Sequence, residues 1–278
     1  MNMEKWFTGP VAITGADGHV GRALQARLVD LPNPVRALGR SDEWTPAIAD
    51  AEAVVHLAGT LQPRRPNSYQ AANIETTKRV VDAVAGSGVR RIVFLSYIGA
   101  DPDSDNEYLQ TKGRAEQLIR QSGVPSVVFR STFIYGDPGD IGPSFASYQT
   151  TPSGAVSVVG DGSQKLAPIQ VEDLAAMLAA AALDPSTPTG TFAVSGPETF
   201  TVDEFIRSIN RGEVRIRHLP PLAARLLARL TPQLTPALVD VLLSDSVADA
   251  DPVETTALFG LRLRSFSDVT GVTEEVTS

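Results

Sequence analysis

The chain has 278 residues, 42% of them hydrophobic, and carries a formal net charge of −8 with a sequence pI near 5.0. These values predict a folded protein with a sizeable core and exclude nucleic acid as its main partner, because phosphate binding needs clustered cations. Cysteine is absent and the three histidines lack metal-ligand spacing, so we expect no disulfide, no cysteine nucleophile and no metal centre. The N-terminus shows no apolar signal segment, and no run reaches the roughly 18 apolar residues of a membrane span. We therefore expect a cytoplasmic protein.

A glycine-rich turn follows the first predicted strand, at residues 11–14. Residues 14–21 read T-G-A-D-G-H-V-G, and helical apolar spacing begins within this run. Gly15 permits a tight turn, Gly18 lets a pyrophosphate approach the backbone, and Gly21 lets the helix pack close to the strand. The helix N-terminus offers free N–H groups and a partial positive charge to phosphates. The turn therefore predicts a nucleotide cradle made by Gly15, Ala16, Asp17, Gly18, His19, Val20 and Gly21.

Predicted strands alternate with predicted helices through the first half of the chain. This order is typical of right-handed βαβ units in a parallel sheet. We predict an α/β protein: a Rossmann doubly wound parallel sheet with helices on both faces and a smaller C-terminal lobe. The strands are predicted at residues 11–14, 35–38, 54–57, 91–96 and 126–130, and the helices near residues 22–29, 68–84 and 107–121.

Glycine and proline mark the boundaries in the middle of the chain. Gly88 and Gly123 precede predicted strands, where we expect left-handed helix C-caps. Residues 135–162 are rich in Gly, Pro, Ser and Asp and predict a mobile loop. The helical pattern at 171–183 and the strand at 191–194 are expected to return to the sheet.

These boundaries predict a nucleotide-binding core at residues 1–135, joined by 165–195. Residues 136–164 and 196–278 would then form the smaller, substrate-binding lobe. Within that lobe a basic stretch from Arg211 to Arg229 overlaps an amphipathic segment, Leu222 to Leu230. A solvated helix face, a membrane-surface face and a partner-docking face all fit that pattern.

The end of the second predicted strand bears on the choice of cofactor. An acidic residue at that place binds the ribose of NAD, whereas an arginine accommodates the extra phosphate of NADP. Here the strand ends Ala37-Leu38-Gly39-Arg40, with Asp42 and Glu43 close behind. Because Arg40 can donate charge-assisted hydrogen bonds to a phosphate, the sequence favours NADP(H) over NAD(H).

A tyrosine and a lysine are the candidate catalytic pair. Tyr108 and Lys112 lie four residues apart on a predicted helix, so both project from one face. A nearby ammonium favours phenolate, which predicts a tyrosine pKa lowered from about 10 towards neutrality, as a general acid or base requires. The alternative is a solvated pair without a role in chemistry.

In its motifs the chain resembles the short-chain dehydrogenase/reductase superfamily over nearly its whole length. Within that superfamily it is most similar to the atypical branch that contains the NADPH-binding accessory subunit of respiratory complex I and bacterial relatives. The resemblance rests on the glycine turn, the Tyr108 and Lys112 pair, and residues 54–59, 73–77, 96–101, 113–116, 130–136, 168–173 and 242–245.

The resemblance implies a set of site residues. Tyr108 would exchange a proton with the substrate, Lys112 would tune it and hold a cofactor ribose, and Ser96 would polarise the substrate oxygen. Asn73 would support the site, although it could instead cap a helix, and Arg130 would anchor the fold. The remaining cofactor-binding residues would be Arg40, Leu57, Ala58, Gly59, Ser131, Thr132 and Phe133.

Three departures from the family pattern stand out. Ser96 lies one or two positions before the usual catalytic hydroxyl. The chain between Arg40 and Val54 is too short for the usual third strand, which leaves Asp50 or Trp44 to contact adenine. The usual Arg-Pro is Arg130-Ser131, which removes a ring from the nicotinamide wall.

Two classes of function follow from these residues. The first is an NADP-dependent oxidoreductase of a small carbonyl or alcohol, with related epimerase or dehydratase chemistry using the same residues. The second is a non-catalytic NADPH-binding protein with a structural, sensing or assembly role. Either would be a monomer or homodimer, and the first needs a small-molecule substrate.

Overall fold

The structure is a computed structural model. It describes residues 6–63, 67–137, 140–149, 154–210, 214–231 and 234–270. The strands among these residues are β1 (Val11–Thr14), β2 (Val35–Leu38), β3 (Ala53–His56), β4 (Arg91–Tyr97), β5 (Ser126–Ser131), β6 (Ile134–Tyr135), β7 (Ala155–Val159), β8 (Lys165–Leu166), β9 (Ile169–Gln170), β10 (Gly190–Val194), β11 (Phe200–Thr201) and β12 (Arg215–Leu219). The α-helices are α1 (His19–Leu28), α2 (Trp44–Ala49), α3 (Thr76–Val84), α4 (Glu107–Gln121), α5 (Val171–Leu183), α6 (Val202–Ile209), α7 (Pro221–Ala228), α8 (Pro236–Leu242), α9 (Pro252–Ala257) and α10 (Phe266–Thr270).

Six parallel strands form the central sheet, in the order β10-β5-β4-β3-β1-β2. Strands β1 and β3 are buried at every position, because helices cover both faces of a parallel sheet. The predicted Rossmann fold is confirmed, and the pairing of β10 with β5 confirms that this strand returns to the sheet. As the short link after Arg40 predicts, β2 is the edge strand and no further strand lies beyond it among the described residues.

The helices divide between the two faces of the sheet. On one face α1 and α5 pack together over a cluster that includes Leu24 and Leu178. On the other face α2, α3 and α4 enclose a second cluster, which includes Ile48 and Ile119. Phe259, after α9, packs against Phe129 of β5 with 4.9 Å between their ring centroids, so part of the C-terminal segment lies against the sheet.

A third apolar cluster lies at the carboxyl end of the sheet. It joins Tyr97, Tyr108 and Phe133 to Phe145 and Phe205, so aromatic rings connect the sheet edge to α6. Here the chain forms three small two-stranded sheets, β6 with β9, β8 with β11, and β7 with β12. The division of the chain into core and lobe stays a prediction.

Several local predictions need correction. Gly86, with φ +71°, takes the left-handed position after α3, and Gly88 does not, because α3 ends at Val84 and Gly86 is the first glycine after it. The prediction at Gly123, φ +74°, is confirmed. The predicted loop at 135–162 contains β7, which pairs with β12, a contact distant in sequence. Residues 138–139 and 150–153 of that loop lie outside the described residues, as does Arg211 of the basic stretch.

Candidate functional site

The glycine turn between β1 and α1 is shaped for an anionic ligand. Gly15 has φ +71°, and a Cβ there would lie 2.8 Å from the Ala58 nitrogen. Gly18 is the N-cap of α1, so the first-turn N–H groups have no side-chain cap, and no acidic residue lies within the first turn of the helix. Uncapped N–H groups at a helix N-terminus favour a phosphate, so the turn fits the diphosphate of a dinucleotide.

A cavity of about 570 Å³ opens above this turn, at the carboxyl edge of the sheet. It extends from Arg40 at the end of β2 to Leu95 on β4, along an edge where α/β proteins bind their ligands. Its lining includes Gly15, Gly18, His19, Val20, Gly21, Arg40, Leu57 and Gly59, together with Thr60, Leu61, Gln62, Pro63, Asn67, Leu95, Ile134, Pro143 and Ser144.

A second, smaller cavity of about 160 Å³ shares a wall with the first, at Leu57, Gly59 and Leu95 among other residues. Its own lining brings together the predicted site residues Ser96, Tyr108, Lys112, Ser131, Thr132 and Phe133. The two cavities thus form one trough that leads from Arg40 to the tyrosine and lysine pair.

The electrostatics of Tyr108 differ from the sequence prediction. Burial, with Tyr97 and Tyr69 nearby, raises the pKa of Tyr108 well above its ordinary value of 10. Its hydroxyl makes no hydrogen bond with any described residue, and Tyr108 lines the smaller cavity. The predicted lowering by Lys112 is wrong, because the lysine Nζ donates to the Leu95 carbonyl at 2.6 Å and lies 4.2 Å from the Phe94 ring centroid. A phenol in this setting stays protonated at neutral pH.

Lys112 is itself perturbed. It is only 6% exposed, and burial lowers its pKa from 10.5 to about 7, while Glu116 acts in the opposite direction. The lysine therefore exchanges its proton near neutral pH, at the floor of the site.

A buried carboxylate holds Ser96. Glu116 is 0% exposed, and its Oε1 accepts the Ser96 hydroxyl at 2.6 Å. Arg130 donates to both carboxylate oxygens, at 2.9 and 2.7 Å, which confirms that Arg130 anchors the fold. Because the Ser96 proton is committed to Glu116, the geometry does not support the expected polarisation of a substrate oxygen by this serine.

A chain of hydrogen bonds runs beneath the site from β1 to α4. The Thr77 hydroxyl donates to the Asn73 carbonyl at 2.6 Å, so it must accept from His56 Nε2, at 2.9 Å. The His56 Nδ1 then accepts from the Thr14 hydroxyl at 2.6 Å. Burial, followed by the charge of Lys112, lowers the pKa of His56 to about 3, so the ring is neutral. This chain fixes the ends of β1 and β3 relative to one another.

Asn73 continues that chain and does not face either cavity. It lies within a π-helix, Gln70–Glu75, so it is not a helix cap. Its Oδ1 accepts from the Thr60 N–H at 3.0 Å, and its Nδ2 donates to the Thr111 hydroxyl at 3.0 Å. Both of its polar groups are used by the protein, so Asn73 supports Thr60 and does not itself reach into the cavity.

The expected adenine contacts also need correction. Trp44 is buried, donates to the Gly39 carbonyl at 2.8 Å, and is covered by the Arg79 guanidinium at 3.9 Å, so no ring face is free for adenine. Asp50 pairs with Arg36 after the end of α2. Since α2 runs back towards the start of β3, Asp50 lies near the amino ends of the strands, whereas the trough lies at their carboxyl ends.

Four of the predicted cofactor residues do not line the trough: Ala16, Asp17, Ala58 and Asn73. The sequence reasoning missed Thr60 to Pro63, Asn67 and Ser144, because these residues lie in irregular chain with no motif. It also missed Tyr97, which lines both the smaller cavity and a third one of about 330 Å³.

The fold and the trough define a dinucleotide-binding Rossmann protein. Residues 38–185 match the family model described as NAD(P)H-binding. The chain belongs to this family, as an atypical short-chain dehydrogenase/reductase related to subunits of NADH-ubiquinone oxidoreductase.

Individual proteins show the same relationship. The mitochondrial 40 kDa subunit of NADH-ubiquinone oxidoreductase from Neurospora crassa is 28% identical to this chain. The aligned segment covers 59% of this chain and 43% of that subunit. The ceramide reductase of Caulobacter vibrioides is 29% identical, over 62% of this chain and 60% of its own. The chain thus spans about half the length of these two relatives. The solved structure of MoeE5 in complex with UDP-glucuronic acid and NAD has a TM-score of 0.70, with 18% identity over 94% of this chain and 96% of that one.

No helix among the described residues is long and apolar enough to cross a membrane.

Proposed function

We propose that the protein is an NADPH-dependent reductase that converts a small carbonyl compound into an alcohol. The observation that carries the proposal is Tyr108, which lines the cavity at the end of the trough and whose hydroxyl has no hydrogen-bond partner among the described residues. Burial keeps the Tyr108 phenol protonated at neutral pH, so the resting side chain carries the proton that reduction of a carbonyl requires. The name of one relative, ceramide reductase, supports the same direction.

Each part of the trough has a role in this proposal. The N–H groups after Gly15 would hold the diphosphate, and Arg40, which is exposed and lines the trough, would meet the additional phosphate of NADPH. A bound reduced nicotinamide supplies a hydride to the carbonyl carbon. Tyr108 donates its proton to the carbonyl oxygen, so that the C=O bond becomes a C–OH group. Leu57, Leu95 and Phe133 narrow the cavity and exclude water around this transfer.

A second candidate function is a non-catalytic NADPH-binding protein. Two contacts favour it. Ser96 donates to Glu116 and Lys112 donates to the Leu95 carbonyl, so neither donates to Tyr108. The similarity to an NADH-ubiquinone oxidoreductase subunit supports this alternative.

The test is oxidation of NADPH by the purified protein with a panel of aldehydes, ketones and quinones. Tyr108→Phe should lower kcat by about 10²–10⁴-fold, the usual contribution of a positioned acid, while the Kd for NADPH stays unchanged. Tyr148→Phe, at a tyrosine that lines neither cavity, is the matched control. Turnover that survives Tyr108→Phe would show that another group donates the proton. Binding of NADPH without turnover on any substrate would favour the second function.

A further inference from the structure

A row of exposed leucines occupies one side of α7 and the turn after it. Leu222, Leu226, Leu227 and Leu230 are 81, 60, 41 and 74% exposed, and they are four of the seven large hydrophobic side chains that are exposed among the described residues. We refer to these four residues as the leucine face. Burial of large apolar side chains is the rule in a folded chain, so their concentration on one short segment requires an explanation.

The leucine face points away from the rest of the protein. Leu222, Leu226 and Leu230 are spaced four residues apart, so they form one stripe on the helix. Ala224 and Ala228, which are buried against Val239 of α8, lie two positions from Leu226 and therefore on nearly the opposite side. The helix is thus anchored by its alanines and presents its leucines to solvent.

The charge around the leucine face is opposite to that of the whole protein. Residues 214–231 contain four arginines and no acidic residue, whereas the chain as a whole has a net charge of −8. Arg225 and Arg229 each follow a leucine of the stripe by three positions, so they lie beside it. Arg225 pairs with Asp240 at 3.1 Å, but Arg215, Arg217 and Arg229 form no salt bridge with any described residue.

We propose that the leucine face docks on the surface of an anionic lipid bilayer. Apolar side chains on a convex helix enter the boundary between headgroups and acyl chains, and the arginines beside them extend to lipid phosphates. A second copy of this chain fits less well, because a symmetric contact would place the arginines of both copies against one another. The contact is peripheral, and it is independent of the reductase proposed above, since none of these residues lines the trough.

The test is sedimentation of the full chain with vesicles of phosphatidylcholine alone and of phosphatidylcholine with a quarter phosphatidylglycerol. We expect binding to the anionic vesicles that weakens with salt, and little binding to the neutral ones. Leu226→Asp should weaken binding by at least about tenfold, since it removes an apolar contact and adds a repelled charge. Arg229→Gln should weaken it about fivefold.

Matched controls separate the surface from a general loss of folding or charge. Leu258→Asp changes an exposed leucine outside the leucine face, and Arg114→Gln changes an exposed arginine of α4; both should bind as the parent chain does. Thermal unfolding and NADPH binding should be the same in all four variants. Failure of the parent chain to bind anionic vesicles, or equal binding by Leu226→Asp, would overturn the proposal. A dimer in solution that Leu226→Asp dissociates would assign the surface to a second copy instead.

Discussion

Gly21 illustrates how a single absent side chain permits the cofactor cradle. A Cβ there would lie 2.4 Å from the Gly15 carbonyl oxygen and 2.6 Å from that of Ala16, both backbone atoms that cannot move away cheaply. We therefore expect Gly21→Ala to lower the free energy of unfolding by about 1–3 kcal/mol, the usual cost of overpacking. Urea denaturation measures this change.

Gly88→Ala is the matched control for that substitution. A Cβ at Gly88 would meet nothing within 4 Å, and its φ lies outside the left-handed region. Alanine there should raise the free energy of unfolding by about 0.4–1 kcal/mol, because it restricts the unfolded chain. Equal effects of the two substitutions would contradict the close approach of α1 to the turn.

Lys112 should make stability depend on pH in the alkaline range. The folded protein releases the Lys112 proton near pH 7, whereas the unfolded chain keeps it until about pH 10.5, so between these values the unfolded state binds more protons. The free energy of unfolding should therefore rise with pH from 7 towards 10, at up to about 1.4 kcal/mol per pH unit from this group. Denaturation at a series of pH values, compared with Lys112→Met, measures the contribution.

Lys78→Met is the control for the lysine prediction, because Lys78 is exposed on α3. The free energy of unfolding should still rise with pH in Lys78→Met, whereas the rise should be smaller in Lys112→Met. If both variants follow the parent chain, Lys112 is not the group responsible.

The chain of hydrogen bonds through Thr77 acts between elements, since it connects β1, β3 and α3. The Thr77 hydroxyl both accepts from His56 and donates to the Asn73 carbonyl, in a fully buried position. Thr77→Val keeps the shape of the side chain but leaves the buried His56 Nε2–H without its acceptor, so we expect the free energy of unfolding to fall by about 1–3 kcal/mol. The measurement is urea denaturation at neutral pH.

Thr76→Val gives the comparison for this network. Thr76 begins α3 and is half-buried, and its hydroxyl donates to the Ala72 carbonyl of the preceding turn and, at 3.5 Å, to the Asn73 carbonyl. Water can replace these contacts, so the loss of stability should be smaller than for Thr77→Val. A loss as large as that of Thr77→Val would show that the valine side chain itself, and not the network, determines the effect.

Most strands of the sheet could be predicted closely because they are short, mainly apolar runs flanked by turn residues. Strands β1 and β2 were predicted at their observed bounds, and β3 and β4 within one residue at either end. Helix α4 was also predicted with its observed bounds. Its start is marked by Asn106, whose side chain caps the first turn. By contrast, β7 was not predicted, because its only strand partner, β12, lies far along the sequence, and a five-residue strand of this kind is defined by pairing.

The site was predictable only where one local segment carries the signal. The glycine turn and the spacing of Tyr108 and Lys112 located both ends of the trough. The direction of the Tyr108 pKa shift was not predictable, because burial and the nearby Tyr97 and Tyr69 raise the pKa, and these tyrosines come from other parts of the chain. The same limit applies to Ser96, whose partner Glu116 lies 20 residues away.

At the scale of the whole molecule, the aromatic cluster couples the site to the C-terminal part of the chain. Tyr69 and Tyr97 each pack against Tyr108, at 5.8 and 5.4 Å between ring centroids. The Tyr69 hydroxyl also reaches Thr235, at the start of α8, at 2.7 Å. A ligand in the trough would therefore contact Tyr108, which packs against a tyrosine that is hydrogen-bonded to the start of α8, and its binding should stabilise the protein as a unit.

This coupling gives the last prediction, which concerns the stability of the whole protein with its cofactor. NADPH at about a hundred times its Kd should raise the free energy of unfolding by about 2.7 kcal/mol, and the thermal midpoint by about 5–10 °C. If Arg40 meets the additional phosphate, Arg40→Ala at the same NADPH concentration should lose about 1.4–2.4 kcal/mol of that stabilisation, and almost none with NADH. Arg114→Ala, at an exposed arginine outside the trough, should leave both values unchanged. Equal losses with the two cofactors would contradict the choice of NADPH, and no shift with either would contradict the cradle itself, because the folded state alone would then gain nothing from the dinucleotide.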